Sequence, residues 1–245
     1  MASVYGDMLP RDGTNAIWNA LAARSRKAFE NHSSEVELKA QDLLSAEEEG
    51  VDGLYFPLSC IICRLVTLPE GTSVKVSVVG REGMVGSPSL FGSSTSTFRT
   101  VVQLPGRALL LPTSQAQRLL AIPGAEQILF RYMLLLLREA SLTAACNRSH
   151  PAKQRLARWL LLIGDRAEGD EFPLTHDSLS AMLGVRRESV TVSANELRRA
   201  GAIEYRRAAV AITNRPELEN QSCSCYAAVT DGYARFLQSE LPRLR

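Results

Sequence analysis

Histidine and cysteine are scarce in this chain, at three and five among 245 residues. The histidines, His32, His150 and His176, stand far apart, so neither a catalytic histidine cluster nor a metal site is expected. An odd number of cysteines in a chain this long does not form a disulfide framework, and a reducing cytoplasm is the expected setting. Long apolar runs are missing too. The longest, Tyr132 to Leu137, is closed off by Arg131 and Arg138, far short of the ~20 residues a membrane helix needs. Met1 to Asn15 has acidic residues and no apolar centre, so no signal peptide and no membrane partner are expected. The chain also lacks a charge excess. A net charge of +2 announces neither nucleic acid nor an anionic membrane, so any basic site must be local. Residues 1–150 carry 14 Lys and Arg against 14 Asp and Glu, and residues 151–245 carry 14 against 12, which puts the surplus in the C-terminal part. Gly-x-Ser-x-Gly, phosphate-loop and zinc-helix motifs are absent, and no enzyme is expected. What remains is 45% apolar and 22% charged, the balance of a folded chain with room for two modest domains.

The first half reads as strands and turns. Val74 to Val78 alternates strictly, as a strand with one wet face would. Leu54 to Phe56, Ile61 to Val66, Thr100 to Leu104 and Ala108 to Leu111 are further short β-type runs. Turn signals at Pro69 to Gly71, Gly80 to Gly86 and Pro105-Gly106 separate them, predicting an antiparallel sandwich, roll or barrel. A helix is expected before it, about Ala16 to Glu30, with Ile17, Leu21, Arg24 and Ala28 on one face. The pattern changes near residue 113. Thr113 or Ser114 can cap a short helix to Ala121, which Pro123-Gly124 ends. A long helix then runs about Ala125 to Arg148, apolar on all sides in its middle, so it must be buried on two. Ile128, Tyr132, Leu135, Leu142 and Cys146 fall at the spacing of a two-helix seam, interrupted by Glu139, and predict a dimer interface. Pro151 opens another helix to Ile163, with Leu156, Trp159, Leu160 and Ile163 inward and Lys153, Arg155 and Arg158 outward.

The most informative stretch begins at Leu174. Thr175 suits an N-cap, and Leu179, Met182 and Leu183 give a short helix one apolar face. Gly184 stands where a left-handed residue ends a helix, and a second helix follows at once with Val190, Ala194 and Leu197 inward, ended by Gly201. Two short helices joined by a tight glycine turn form a helix-turn-helix. The second presents Arg186, Arg187, Glu188, Ser189 and Thr191 in its first turns, where such helices meet base edges. Arginine's planar fork matches two guanine acceptors, and a carboxylate accepts from the cytosine amino group. Ile203 to Tyr205 and Val210 to Ile212 pair as a hairpin whose tip, Arg206 and Arg207, forms a wing able to meet phosphates. Three arginine pairs within 22 residues face three glutamates, a local charge of +3. Double-stranded DNA is the expected partner.

A β-rich domain, a long helix and a winged helix-turn-helix with Gly-x-x-Arg-Glu-x-Val at its turn resemble the cyclic-AMP receptor/fumarate-nitrate regulator (CRP/FNR) family of bacterial transcription regulators. The likeness spans about residues 16–236 and is most specific at the Leu-Thr…Leu-Gly…Arg-Glu-Ser-Val stretch. It implies an α+β fold: a cyclic-nucleotide-binding-like β-roll (jelly roll) over 1–124, a dimerisation helix over 125–150, a DNA-binding domain over 151–215 and a helical tail over 216–245. It also implies a homodimer on near-palindromic sites, in contact with RNA polymerase. Arg187 and Glu188 match the family's base-reading pair; the next family arginine falls at Val192, so the base preference should differ.

The sensor departs further from the family pattern. Cyclic-nucleotide binders in this family hold the ribose hydroxyls with Gly-Glu-Leu and the phosphate with Arg-Ser. Here the matching turn reads Gly86-Ser87-Pro88, with serine in the place of the glutamate, and Arg99-Thr100 match the phosphate pair. A polar site penalises the lost acceptor heavily, so cyclic AMP is not expected to bind, and the chain is similar to a subgroup without the full nucleotide signature. Gly86, Ser87, Arg99 and Thr100 form the candidate pocket for an unknown small-molecule effector, and no other cofactor is expected. Cys60 and Cys63 lie in a strand run, pointing to opposite faces. Cys223 and Cys225 could share one, but buried or idle thiols are the plainer reading. The competing function, a small-molecule sensor acting through a protein partner, would show no salt-dependent DNA binding.

Overall fold

A computed structural model describes residues 4–10, 13–25, 31–93, 95–206 and 209–240. Two short helices, α1 (Val4–Met8) and α2 (Ala16–Ser25), precede seven strands: β1 (Ser34–Leu38), β2 (Leu43–Ser45), β3 (Gly53–Pro57), β4 (Ile61–Thr67), β5 (Ser73–Val79), β6 (Arg99–Leu104) and β7 (Gly106–Pro112). They pair antiparallel in two sheets, β1-β7-β3 and β2-β6-β4-β5, which face each other as a roll. Alternation along the strands separates two cores. Tyr55, Ile62, Val79 and Val102 fill the roll, whereas Ile61, Cys63, Val78 and Val101 face the helices. Cys60 and Cys63 fall into different cores, as their spacing predicts. Ile17 and Leu21 of α2 are buried as expected; Ala28 and the rest of the predicted helix beyond Ser25 lie outside the described residues, as does the Arg24 side chain.

The strict alternation read from Val74 to Val78 does not survive pairing. Arg64 faces Ser77 while Leu65 faces Lys75, so Val76 is an extra residue on β5. Such a bulge reverses the faces beyond it. Lys75 and Ser77 are therefore both buried, on opposite sides of the sheet, and Val74 and Val76 are half-exposed.

After β7 come α3 (Thr113–Ala116), a 3-10 turn to Ala121, and the long helix α4 (Ala125–Ser149), which starts at the left-handed Gly124. The next elements are α5 (Ala152–Gly164), β8 (Glu171–Pro173), α6 (His176–Leu183), α7 (Arg187–Arg199), the hairpin β9 (Ile203–Arg206) and β10 (Ala209–Ile212), and two last helices, α8 (Arg215–Gln221) and α9 (Cys225–Glu240). Strand β8 joins the hairpin as a third strand, in the order β8-β10-β9. No single described helix is long and apolar enough to cross a membrane.

Helix α9 returns along α4 and explains the acidic interruption of its stripe. Glu139 is buried and accepts from the Tyr233 hydroxyl at 2.7 Å, while Phe236 packs on Tyr132 with ring centroids 5.9 Å apart. Burial raises the Glu139 carboxyl above its ordinary range. Nearby, Arg166 just after α5 meets Glu82 of the Gly80–Gly86 turn at 2.6 Å, both side chains wholly inaccessible. The guanidinium lies 5.2 Å from the ring centroids of both Tyr5 and Tyr233. Arg155 and Arg158, expected on the wet side of α5, are buried instead. Arg155 donates to the Leu183 carbonyl, and Arg158 donates to the Thr143 hydroxyl at 2.9 Å. Helices α6, α7, α8 and α9 pack around α5, which leaves it no wet side for those two arginines.

Candidate nucleic-acid interface

The helix-turn-helix is assembled as its residues dictate. The Thr175 side chain accepts from the Ser178 amide at 3.1 Å, capping α6. Gly184 ends that helix at φ 59°, a left-handed conformation that glycine adopts without strain. Val190, Ala194 and Leu197 bury one face of α7 against α5 and α6. The opposite face is left to solvent: Arg186, Arg187, Glu188 and Ser189 are all exposed, and Val192 is 58% exposed one turn further on. Arg187 lies 3.6 Å from Asp177, a loose surface ion pair that leaves most of its fork available. Thr191 is half-buried, donating to the Arg187 carbonyl at 3.1 Å and lying 3.2 Å from His176 Nδ1.

The hairpin β9-β10 is tied to this unit. The Tyr205 hydroxyl, pushed up to about 12 by burial, donates to the Leu174 carbonyl at 2.9 Å, and its ring meets His176 edge-on at 4.8 Å. Arg206 is exposed at the end of β9 and pairs with Glu204 at 2.6 Å. Arg207, the other residue expected at the wing tip, lies outside the described residues. The unit also touches the roll. Lys75 of β5 donates to Gln103 of β6 and to Ser178 of α6, the latter at 3.1 Å. Burial there lowers the Lys75 ammonium from its ordinary value.

The candidate effector residues are not all turned one way. Gly86 has φ 91° and lies so close to β3 that a Cβ there would sit 2.0 Å from the Gly53 carbonyl oxygen. Ser87 follows at the start of a 3-10 turn, Ser87–Phe91. Thr100 is buried opposite Arg64 in the register, but Arg99, one residue earlier, is exposed. The cation inside the roll is Arg64, which donates to Ser77 at 2.8 Å and lies 5.1 Å from the centroid of the Phe98 ring. Sequence matching missed it because Arg64 sits in an otherwise apolar strand without a motif.

The residues expected at the dimer seam turn mostly inward. Ile128, Tyr132, Leu135 and Cys146 are buried within the chain's own core and Leu142 is half-buried, because α9 and the roll already cover that face of α4. The exposed apolar residues are Phe130, Leu134 and Leu137, at 65%, 53% and 64%. Sequence alone could not choose between the stripes, since both are apolar at helical spacing.

A helix with an exposed, arginine-bearing face after a capped helix and a glycine turn, with a hairpin at its side and a sensor-like roll ahead of it, defines a winged helix-turn-helix regulator. Two family models agree: the cyclic nucleotide-binding domain matches residues 35–122, and the Crp-like helix-turn-helix domain matches residues 154–221. The chain belongs to the CRP/FNR family of transcription regulators. Among solved structures, FixK2 from Bradyrhizobium japonicum is 16% identical with a TM-score of 0.66, covering 78% of this chain and 98% of its own. A CRP/FNR family regulator from Thermus thermophilus is 23% identical with a TM-score of 0.59, covering 77% and 98%. The c-di-GMP responsive global regulator CLP of Xanthomonas campestris is 16% identical, also with a TM-score of 0.59, covering 81% and 98%. At these identities the likeness is one of fold. No curated protein matches in sequence.

Proposed function

We propose that the protein regulates transcription as a homodimer that places two copies of α7 in successive major grooves of a near-palindromic DNA site. The observation that carries this reading is the division of α7. Val190, Ala194 and Leu197 are buried, whereas Arg186, Arg187, Glu188 and Ser189 are exposed at its N-terminal end. Arg187 reads guanine and Glu188 accepts from cytosine. Val192, exposed on the same side, offers an apolar contact to a thymine methyl group where the family's arginine would read guanine. Arg186, Ser189, Thr175 and Thr191 flank the base readers, and Arg206 with Arg207 meet backbone phosphates from the wing.

The two chains join along the outer face of α4. Phe130, Leu134, Leu137, Ser141 and Ala144 are exposed and recur alternately four and three residues apart, the rhythm of a coiled-coil seam. Small residues at its C-terminal end allow close approach. Residues 1–124 serve as sensor, 125–150 as dimerisation helix, 151–215 as DNA-binding domain and 216–245 as a tail. The sensor takes a small molecule other than cyclic AMP. Ser87 leaves ribose hydroxyls without their carboxylate, while Arg64 supports an anionic ligand inside the roll. The work is done in the cytoplasm, beside RNA polymerase.

Selection of bound sites from random duplexes by the purified full chain tests this reading. A two-fold symmetric consensus is the expected result. Failure to enrich any sequence, or binding indifferent to salt, overturns it in favour of a sensor acting through a protein partner.

A further inference from the structure

Three of the five cysteines and one of the three histidines converge at the C-terminal end of α4. Cys146 lies in the last turn of α4 and His150 is the extended residue that follows the helix; Cys223 lies in the link between α8 and α9, and Cys225 opens α9. The Sγ atoms of Cys146 and Cys223 are 3.5 Å apart, and Cys225 Sγ lies 3.7 Å from His150 Nδ1. All four ligand atoms lie within 4.8 Å of one another, and the three thiols are buried in a small core of their own.

Those distances match one ion rather than a cluster. A tetrahedral zinc with bonds of about 2.3 Å to sulfur and about 2.0 Å to nitrogen sets its ligand atoms roughly 3.5–3.8 Å apart. A four-iron cluster spreads its ligands over separate irons, wider than this group reaches. The surroundings also supply counter-charge. Arg155 and Arg158 are buried, and both interact electrostatically with the thiols. Among the described residues neither forms an ion pair with a carboxylate, and Nε of each, with Nη1 of Arg158, has no hydrogen-bond partner. Buried guanidiniums need compensating negative charge. Three thiolates and one neutral imidazole around a divalent ion carry net −1 and provide it.

The geometry points to a mononuclear tetrahedral zinc site formed by Cys146, His150, Cys223 and Cys225, which pins the segment before α9 to the hinge between α4 and the DNA-binding domain. Binding displaces the thiol protons to solvent and changes no oxidation state. The site bears on DNA reading through a short path. Arg155, beside the thiols, donates to the Leu183 carbonyl at the end of α6, immediately before the Gly184 turn. A zinc-held hinge therefore braces the turn that presents α7.

Elemental analysis of the reduced full chain, purified without chelator or added metal, should find one zinc per chain, lost to a chelator together with increased reactivity of the cluster thiols. Cobalt(II) exchanged into the site should give the visible bands of tetrahedral cobalt and thiolate-to-cobalt charge transfer in the near ultraviolet. Cys223→Ser and Cys225→Ser should each weaken the charge transfer, whereas His150→Cys should strengthen it and Cys60→Ser, altered inside the roll, should leave it unchanged. Should the serine variants not fold, the wild-type zinc and cobalt measurements decide. A reduced protein free of zinc that develops no tetrahedral cobalt spectrum overturns the proposal. So does a Cys146–Cys223 disulfide in protein purified without air, which would assign the thiols to redox chemistry. None of these readouts involves DNA, so the site and the proposed operator binding stand or fall separately.

Discussion

Arg187 carries the sharpest expectation at the scale of single residues. Its side chain is free apart from a loose pair with Asp177, so its loss leaves the fold intact. Arg187→Ala should cost about 1–3 kcal/mol on the selected site and relax its preference at one position. Competition binding against single-base variants measures both; equal weakening on every sequence would make Arg187 a reader of phosphate alone. Glu139 gives a prediction of another kind. Its carboxyl is raised by burial, so protonation favours the folded state, and that contribution is lost as pH rises through the raised value. Glu139→Gln stays neutral and can still accept from Tyr233. Its thermal midpoint relative to the parent should therefore climb as pH increases, and a constant difference would show that the carboxylate is not strained.

Among the elements, the recognition helix was legible and the wing was only half so. Gly184, the Thr175 cap and the Val190, Ala194, Leu197 stripe are local signals, and each is found where its chemistry requires. The hairpin was also readable, but not that β8 would join it or that Glu204 would hold Arg206 at 2.6 Å. That pair weakens Arg206 as a free cation, although exposed pairs exchange partners at little cost. Replacing Arg206 and Arg207 together with alanine should lower affinity on all sequences and flatten the salt slope by about 1 for each phosphate no longer neutralised. An unchanged slope removes the wing from the interface. Strand β5 shows the opposite outcome. Its alternation was clear, yet one bulge at Val76 sent Lys75 towards the helix-turn-helix and Ser77 into the roll.

For the whole molecule, the consequential question is which side of α4 remains open. Leu135 abuts α9, where its Cδ1 would stand 3.0 Å from a Cβ at Gly232, so a charge there would disturb the fold itself. A charge at the exposed Leu134 tests the proposed dimer instead. Leu134→Glu should shift the protein from dimer to monomer in sedimentation while leaving its melting cooperative; an unchanged dimer would place the seam elsewhere. The Arg166–Glu82 pair ties the Gly80–Gly86 turn of the roll to the DNA-binding half. Glu82→Gln leaves a buried guanidinium without its counter-charge and should destabilise the chain by about 3–5 kcal/mol, read by denaturant unfolding.

The division between sequence and structure follows the range of the interactions. Strand runs, the caps and turn of the helix-turn-helix and its arginine-bearing face are written within a few residues of chain, where periodicity and turn chemistry act. The burial of Arg155, Arg158 and Glu139, the choice between two apolar stripes on α4, and Arg64 as the cation inside the roll depend on elements far apart in the chain. So does the meeting of Cys146 and His150 with Cys223 and Cys225, some 75 residues away. Only tertiary packing decided those, because burial and charge compensation are set by what arrives from elsewhere to cover a side chain.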